Sequence, residues 1–223
     1  MNKLQRHYIF IDPNNINDNL KDNLILNEIK KIHINHYTNN EIITYWSYND
    51  IVNLLFKYDV ELCKLFKCLN YNYPAFLADI GRYIILFYYG GIYHDLKCIS
   101  NKKIINYLDT ISNNITFIAE EHPKQNYRVR NTNIIALKLQ HPILNNILQN
   151  IKKKLIIAKK EKYNGSKCMV EIGSGTYINV FKRNQNKNII KYPLAKKLLL
   201  INNYIYSKNI KKWQNTEEFL FDK

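Results

Sequence analysis

Residues 78–97 read ADIGRYIILFYYGGIYHDLK. Most of the stretch is apolar, yet it is bracketed by charge, with Asp79 and Arg82 at its head and Asp95 and Lys97 at its tail. Residues three apart share one face of a helix, so Asp79 and Arg82 sit together on an otherwise apolar helix. Two charges on a mostly buried helix are costly unless they pair or are used. Gly90–Gly91 is a strong helix stop and feeds directly into a second apolar run. Strand alternation there puts Ile92 and His94 on one face and Tyr93 and Asp95 on the other, with Lys97 expected on the Asp95 face. Asp95 falls at the C-terminal end of that strand, where open α/β sheets bind ligands. On spacing alone, Asp79–Arg82 also suits a structural ion pair, and Asp95 a turn.

The flanking sequence reads as alternating elements. HYIFID (residues 7–12) is a short strand that stops at Pro13. Leu20, Leu24, Ile25 and Ile29 keep helical spacing, and IHINHY (32–37) reads as a second strand. A strand–helix–strand opening predicts an α/β sheet. Residues 45–70 read as one or two helices, capped by Ser47 or Asn49. Pro74 suits the first turn of the helix that runs to Gly90. Beyond it come a strand-like GIYHDLKCI, a short helix at 101–109, and strands at 115–120 and 128–139. A long amphipathic helix follows from His141–Pro142, and GSGTYINVFKRN (173–184) reads as a loop entering a helix.

The totals bound the function. A chain of 223 residues, 46% hydrophobic and 23% charged, is globular and suits a single domain spanning 1–223. The net charge is +15, but the lysines are scattered rather than striped. Nucleic acid is therefore not an expected partner, and a phosphate-bearing small ligand fits the charge. Cys63, Cys68, Cys98 and Cys168 form no CxxC pair and read as free thiols of a reducing compartment. No run is long enough for a signal peptide or a membrane span, so a soluble cytoplasmic protein is expected.

The stretch YPAFLADIGRYIILFYYGGIYHDLKCI resembles the core signature of glycosyltransferase family 32, the sugar-binding DXD glycosyltransferases. Ala75, Ala78, Asp79, Arg82, Tyr83, Tyr88 or Tyr89, Gly90, Gly91, Ile92, Tyr93 and Asp95 carry the match. The clostridial glucosylating toxins have a similar acid–arginine–DXD arrangement. NNEIITYWSYNDIVNLLFK and RNTNIIALKLQHPILNNILQNI extend the resemblance, and Ser174–Gly175 takes the place of a Thr-Gly-Pro segment. Trp213 is the residue that remains of the family's C-terminal His-x-x-x-x-Ser-Trp element.

The resemblance implies a GT-A fold, a Rossmann-like mixed α/β sheet flanked by helices. It implies transfer of a hexosyl group from a UDP- or GDP-sugar, with retention of configuration, to a glycan or protein acceptor. Asp79, Arg82, Tyr93 and Asp95 would contact the donor, and Asp95 would help place Mn²⁺ or Mg²⁺. Asn131 or Asn133 would lie near the transferred sugar. Trp46 would stack on the base or sit in the core, and Ser174 or Thr176 would meet phosphate at a helix start or serve as an ordinary N-cap. The second DXD acid is replaced by Lys97. An ammonium cannot ligate a hard cation, but it can neutralise phosphate. Lys97 therefore stands in for part of the metal's charge, or the chain is a nucleotide-sugar binder that has lost catalysis. A basic nucleic-acid-binding module is the remaining alternative.

Overall fold

The computed structural model describes residues 5–12, 20, 23–37, 41–100, 102–111, 113–122, 129–164, 169–184, 188–192, 195–197 and 221. Its centre is a six-stranded mixed sheet. In chain order the strands are β1 (Gln5–Ile9), β2 (Ile42–Trp46), β3 (Gly91–His94), β5 (Phe117–Glu121), β6 (Val129–Ala136) and β7 (Ile189–Tyr192), in the spatial order β2-β1-β3-β6-β5-β7. β1 pairs in parallel with β2 and β3, β6 is antiparallel to both its neighbours, and β7 is parallel to β5. Every strand except β6 therefore ends on the same side of the sheet. β4 (Cys98–Ser100) lies outside this sheet and pairs with β8 (Ala195–Lys197).

Helices cover both faces. One carries α2 (Tyr48–Tyr58), α3 (Val60–Lys67), α4 (Pro74–Tyr89), α6 (Pro142–Lys160) and α7 (Gly175–Arg183). Their apolar sides bury Leu55, Phe66, Phe76, Ile84, Leu148 and Phe181 against Ile9, Tyr93 and Ile134 of the sheet. On the other face Ile104 of α5 (Lys102–Thr110) packs with Ile92, Ile118 and Ile135. α1 (Leu24–Ile34) lies on that face too, through His33 stacked on Tyr8 at 4.1 Å. The expected α/β class, a mixed sheet flanked by helices, is what the structure has.

Local sequence explains the element ends. Ser47 and Asp50 form a reciprocal capping box at the start of α2, and Asp59 caps α3. Pro74 occupies the first turn of α4, and His141 Nδ1 accepts from the Ile143 amide at the start of α6. Three expectations need correction. Residues 32–34 are the last turn of α1, because Leu26, Ile29 and His33 continue one buried helical face. The second strand is Ile42–Trp46, which sequence reading assigned partly to the following helix. The strand-like run 91–99 is broken into β3 and β4 by a turn over Asp95–Cys98, closed by the Cys98 amide donating to the Asp95 carbonyl at 2.8 Å. Lys97 thus lies in a turn and not on a continuing strand face.

Four buried histidines make stability depend on pH. Burial pushes His7, His33 and His141 down to about 4, and His94 to about 3. Each is neutral when folded and takes a proton when unfolded below its ordinary value of 6.5. The unfolded state then binds more protons, so stability falls as pH drops from about 6.5 toward 4, by up to about 1.4 kcal/mol per pH unit for each histidine. Asp79 opposes this: burial raises it to about 6, so the folded state holds the extra proton between roughly 3.8 and 6. Burial also raises Glu120, which opposes the histidines in the same sense, but four groups outweigh two, and the urea midpoint is expected to be lower at pH 5 than at pH 7.

Candidate functional site

The Gly90–Gly91 turn fixes where the charged residues meet. Both glycines have positive φ, 61° and 79°, and they fold α4 back over β3. From Gly90, Asp79 lies eleven helical residues back, a rise of about 16 Å. Asp95 lies five extended residues forward, again about 16 Å. The two acids therefore arrive at the same level, beside the C-terminal end of β3.

There Arg82 is held between them. Its Nη2 is 2.7 Å from Asp79 Oδ1 and 3.4 Å from Asp95 Oδ1, while its Nη1 donates to the Asn131 carbonyl and its Nε to the Ala78 carbonyl at 3.2 Å. The guanidinium also lies over the Tyr93 ring, 4.8 Å from its centroid. The Tyr93 hydroxyl donates to Asp95 Oδ1 at 3.2 Å, and the Asn131 amide donates to Asp79 Oδ1 at 2.9 Å. Asp79 and Arg82 are 7% and 4% exposed, whereas the Asp95 side chain is 20% exposed and opens the cluster to solvent. Burial raises Asp79 to about 6, with Arg82 pulling it down and Asp95 pushing it up. Burial disfavours the charge on Arg82, but Tyr93, Asp79 and Asp95 together raise its pKa and keep it protonated.

Asn131 reaches this cluster because β6 is irregular. Ala119 pairs with Ile134, but the next residue, Glu120, pairs with Arg130. Residues 131–133 are the excess, a bulge that reverses which face a side chain meets. Asn131 turns to Asp79 and Tyr83, while Asn133 turns to the opposite face, 2.7 Å from His94 Nδ1, and donates to Glu120. The sequence left these two asparagines open; the structure brings Asn131 to the acid–arginine cluster and places Asn133 behind the sheet. In sequence Glu120 ends the strand read at 115–120 and opens a polar run that reads as a solvated loop. It is buried, accepts from Thr132 and Asn133, and burial raises its pKa.

Two other expected residues lie elsewhere. The Trp46 indole donates to His7 Nδ1 at 3.1 Å and packs 5.0 Å from Tyr89, at the opposite end of α4 from Asp79. It is a buried core group there, apart from the cluster. Ser174 is not at a free helix start. Met169–Ser174 forms a π-helical turn that runs straight into α7, and Ser174 itself has helical φ and ψ. The glycine before it has a packing reason, since a Cβ on Gly173 would lie 2.3 Å from Asp79 Oδ2. Trp213 and Cys168 lie outside the described residues. Cys63, Cys68 and Cys98 are free thiols.

Residues 13–118 match the family described as "Glycosyltransferase sugar-binding region containing DXD motif". The matched segment, just under half of the chain, is similar to that sugar-binding region. It holds Asp79, Arg82, Tyr93, Asp95 and Lys97, and the structure adds Asn131 from outside the matched segment. Three solved structures are similar. The PaToxG glycosyltransferase is 17% identical, with 81% of this chain and 68% of that one covered and a TM-score of 0.47. The ligand-free glycosyltransferase domain of the YGT toxin is 9% identical, with 76% and 56% covered and a TM-score of 0.46. The apo form of mouse xyloside xylosyltransferase 1 is 9% identical, with 98% and 96% covered and a TM-score of 0.45. No curated protein matches the chain.

A DXD sugar-binding region implies a divalent ion, and the residues present do not fit one well. Asp95 already shares its carboxylate with Arg82 and Tyr93. The position two residues on is an ammonium-bearing lysine, and hard cations require oxygen ligands. No group of three His, Cys, Asp or Glu side chains that could hold a metal occurs among the described residues. No helix among them is long and apolar enough to cross a membrane.

Proposed function

We propose that the 223 residues form one unit of GT-A type that binds a UDP- or GDP-sugar and transfers the sugar, a hexosyl group, with retention to a glycan or protein acceptor. The observation that carries this reading is the buried guanidinium of Arg82 clamped between Asp79 and the partly exposed Asp95 at the strand ends. A group fixed by four acceptors has little freedom left to lose when a ligand arrives, which is the basis of preorganised recognition. Asp95 receives hydroxyls of the ribose or donor sugar, and Tyr93 fixes its orientation. Asp79 and Asn131 hold Arg82 from behind.

The leaving nucleoside diphosphate gains negative charge as the glycosidic bond breaks. Charges placed in advance at that point lower the barrier. In this chain Arg82, beside Asp95, and Lys97, in the turn that follows it, supply positive charge in place of a carboxylate-bound Mn²⁺ or Mg²⁺. A thermal-shift measurement with UDP- and GDP-sugars tests both parts. A ligand binding only the native state stabilises it by about 2.7 kcal/mol at a hundredfold excess over Kd. A donor is expected to raise Tm by several degrees in EDTA, with no further rise on adding Mn²⁺. A shift that vanishes in EDTA and returns with Mn²⁺ overturns the metal-replacing role of Lys97. No shift with any nucleotide-sugar overturns the donor site itself.

Lys97 also favours a second reading, a nucleotide-sugar-binding protein without turnover. It shares the donor-induced shift and is separated by the release of free sugar from the donor, which only a transferase catalyses.

A further inference from the structure

The turn that carries Asp95 and Lys97 is tied to the main sheet by little backbone pairing. The Asp95 amide donates to the Thr132 carbonyl at 2.8 Å, and β4 beyond it belongs to the separate β4–β8 pair. Side chains from the opposite face of the sheet take over. His33 Nε2 is 3.1 Å from the Leu96 carbonyl, the Tyr8 hydroxyl is 3.2 Å from the Cys98 carbonyl, and the Tyr37 hydroxyl is 3.0 Å from the Ser100 amide.

The partners settle every proton in this set. A carbonyl only accepts, so His33 Nε2 donates, and Nδ1, 2.8 Å from the Tyr45 hydroxyl, accepts. Tyr8 spends its proton on Cys98 and so accepts from Tyr37, 2.6 Å away, which in turn accepts from the Ser100 amide. The result is one directed chain with no vacancy: Ser100 amide to Tyr37 to Tyr8 to Cys98 carbonyl. His33 is fully buried, stacked on Tyr8 at 4.1 Å and on Tyr45 at 5.9 Å, so it has no room to swing away. Burial holds it neutral at physiological pH, as this tautomer requires.

We infer that Tyr8, His33 and Tyr37 form a brace that sets the position of the Asp95–Lys97 turn, with His33 as a positioning residue for donor binding. This rests on the donor-site reading above, but none of the three bonds Asp79, Arg82 or Asn131. They act on the site only through the turn's backbone, a role for which small displacements matter.

Three variants of the full chain test this: His33→Leu, His33→Gln, which keeps an N–H donor, and Asp59→Ala. Asp59 caps α3 and pairs with Lys152, away from the turn, and so controls for lost stability. Donor affinity is titrated with whichever of UDP-glucose and GDP-mannose gives the larger thermal shift. His33→Leu is expected to weaken it about tenfold, the worth of one hydrogen bond at the upper end. His33→Gln restores much of the loss, and Asp59→Ala leaves affinity unchanged. Unchanged affinity in His33→Leu, or an equal loss in Asp59→Ala, overturns the inference. Amide hydrogen exchange over residues 96–100 in the ligand-free variants gives a readout that needs no donor. Protection there is expected to drop in His33→Leu but not in Asp59→Ala. Undiminished protection overturns the brace, while lost protection in a chain that binds neither nucleotide-sugar overturns only the donor reading.

Discussion

Replacing Asp95 by Asn is expected to lower sugar transfer by at least about a hundredfold, the usual scale for removing one preorganised polar group from a reacting centre. Charge-assisted hydrogen bonds are roughly twice as strong as neutral ones, and the amide also presents a donor where the carboxylate only accepted. The fold should be nearly indifferent. The Asp95 side chain is partly exposed, and Arg82 keeps Asp79 at 2.7 Å as its nearer partner. A stability change below about 1 kcal/mol is expected, as for a partly exposed ion pair. Transfer within a fewfold of wild type, with the fold intact, removes Asp95 from the site.

Gly91→Ala is expected to have the largest effect on stability. A Cβ there would lie 2.3 Å from the Gln5 carbonyl oxygen, a backbone atom of the neighbouring strand that no side-chain rotation can relieve. The positive φ of 79° is strained for alanine as well. Relief requires β1 and β3 to separate in the middle of the sheet, at the turn that sets the level of Asp79 and Asp95. We expect a loss of about 4 kcal/mol or more, among the largest for one methyl group. Urea unfolding measures it, and a loss under about 1 kcal/mol would show that the turn has slack the structure does not display.

The parts legible in sequence were those set by local chemistry. Pro74, Gly90–Gly91 and Ser47 mark element ends by their own conformational preferences, and all four act where they were read. The Asp79–Arg82 pair followed from helical spacing, and Asp95 from its place after a strand. What stayed hidden depends on contacts between distant segments. His33 looked like part of a strand because IHINHY alternates, yet Tyr8 and Leu96 draw it into a helix face. Asn131 and Asn133 were indistinguishable, because the bulge that separates them exists only in the pairing of β6 with β5. Ser174 looked like a loop because glycines usually break helices, but Gly173 is there so that the chain can press against Asp79. Trp46 stood beside a plausible site in the sequence, and its ring leans the other way. Glu120 sat in a run dominated by its polar neighbours, and nothing local marked it as buried.

The excess residues of β6 have a consequence for how such a chain can diversify. Residues 131–133 face the single step between Ala119 and Glu120, so they lie outside the regular ladder pairing and meet β5 through the Glu120 carboxylate, which accepts from Thr132 and Asn133. Side chains here can be exchanged without re-threading the surrounding ladder. The bulge offers a pair of teeth, one meshing with each side of the protein, on an otherwise inflexible comb.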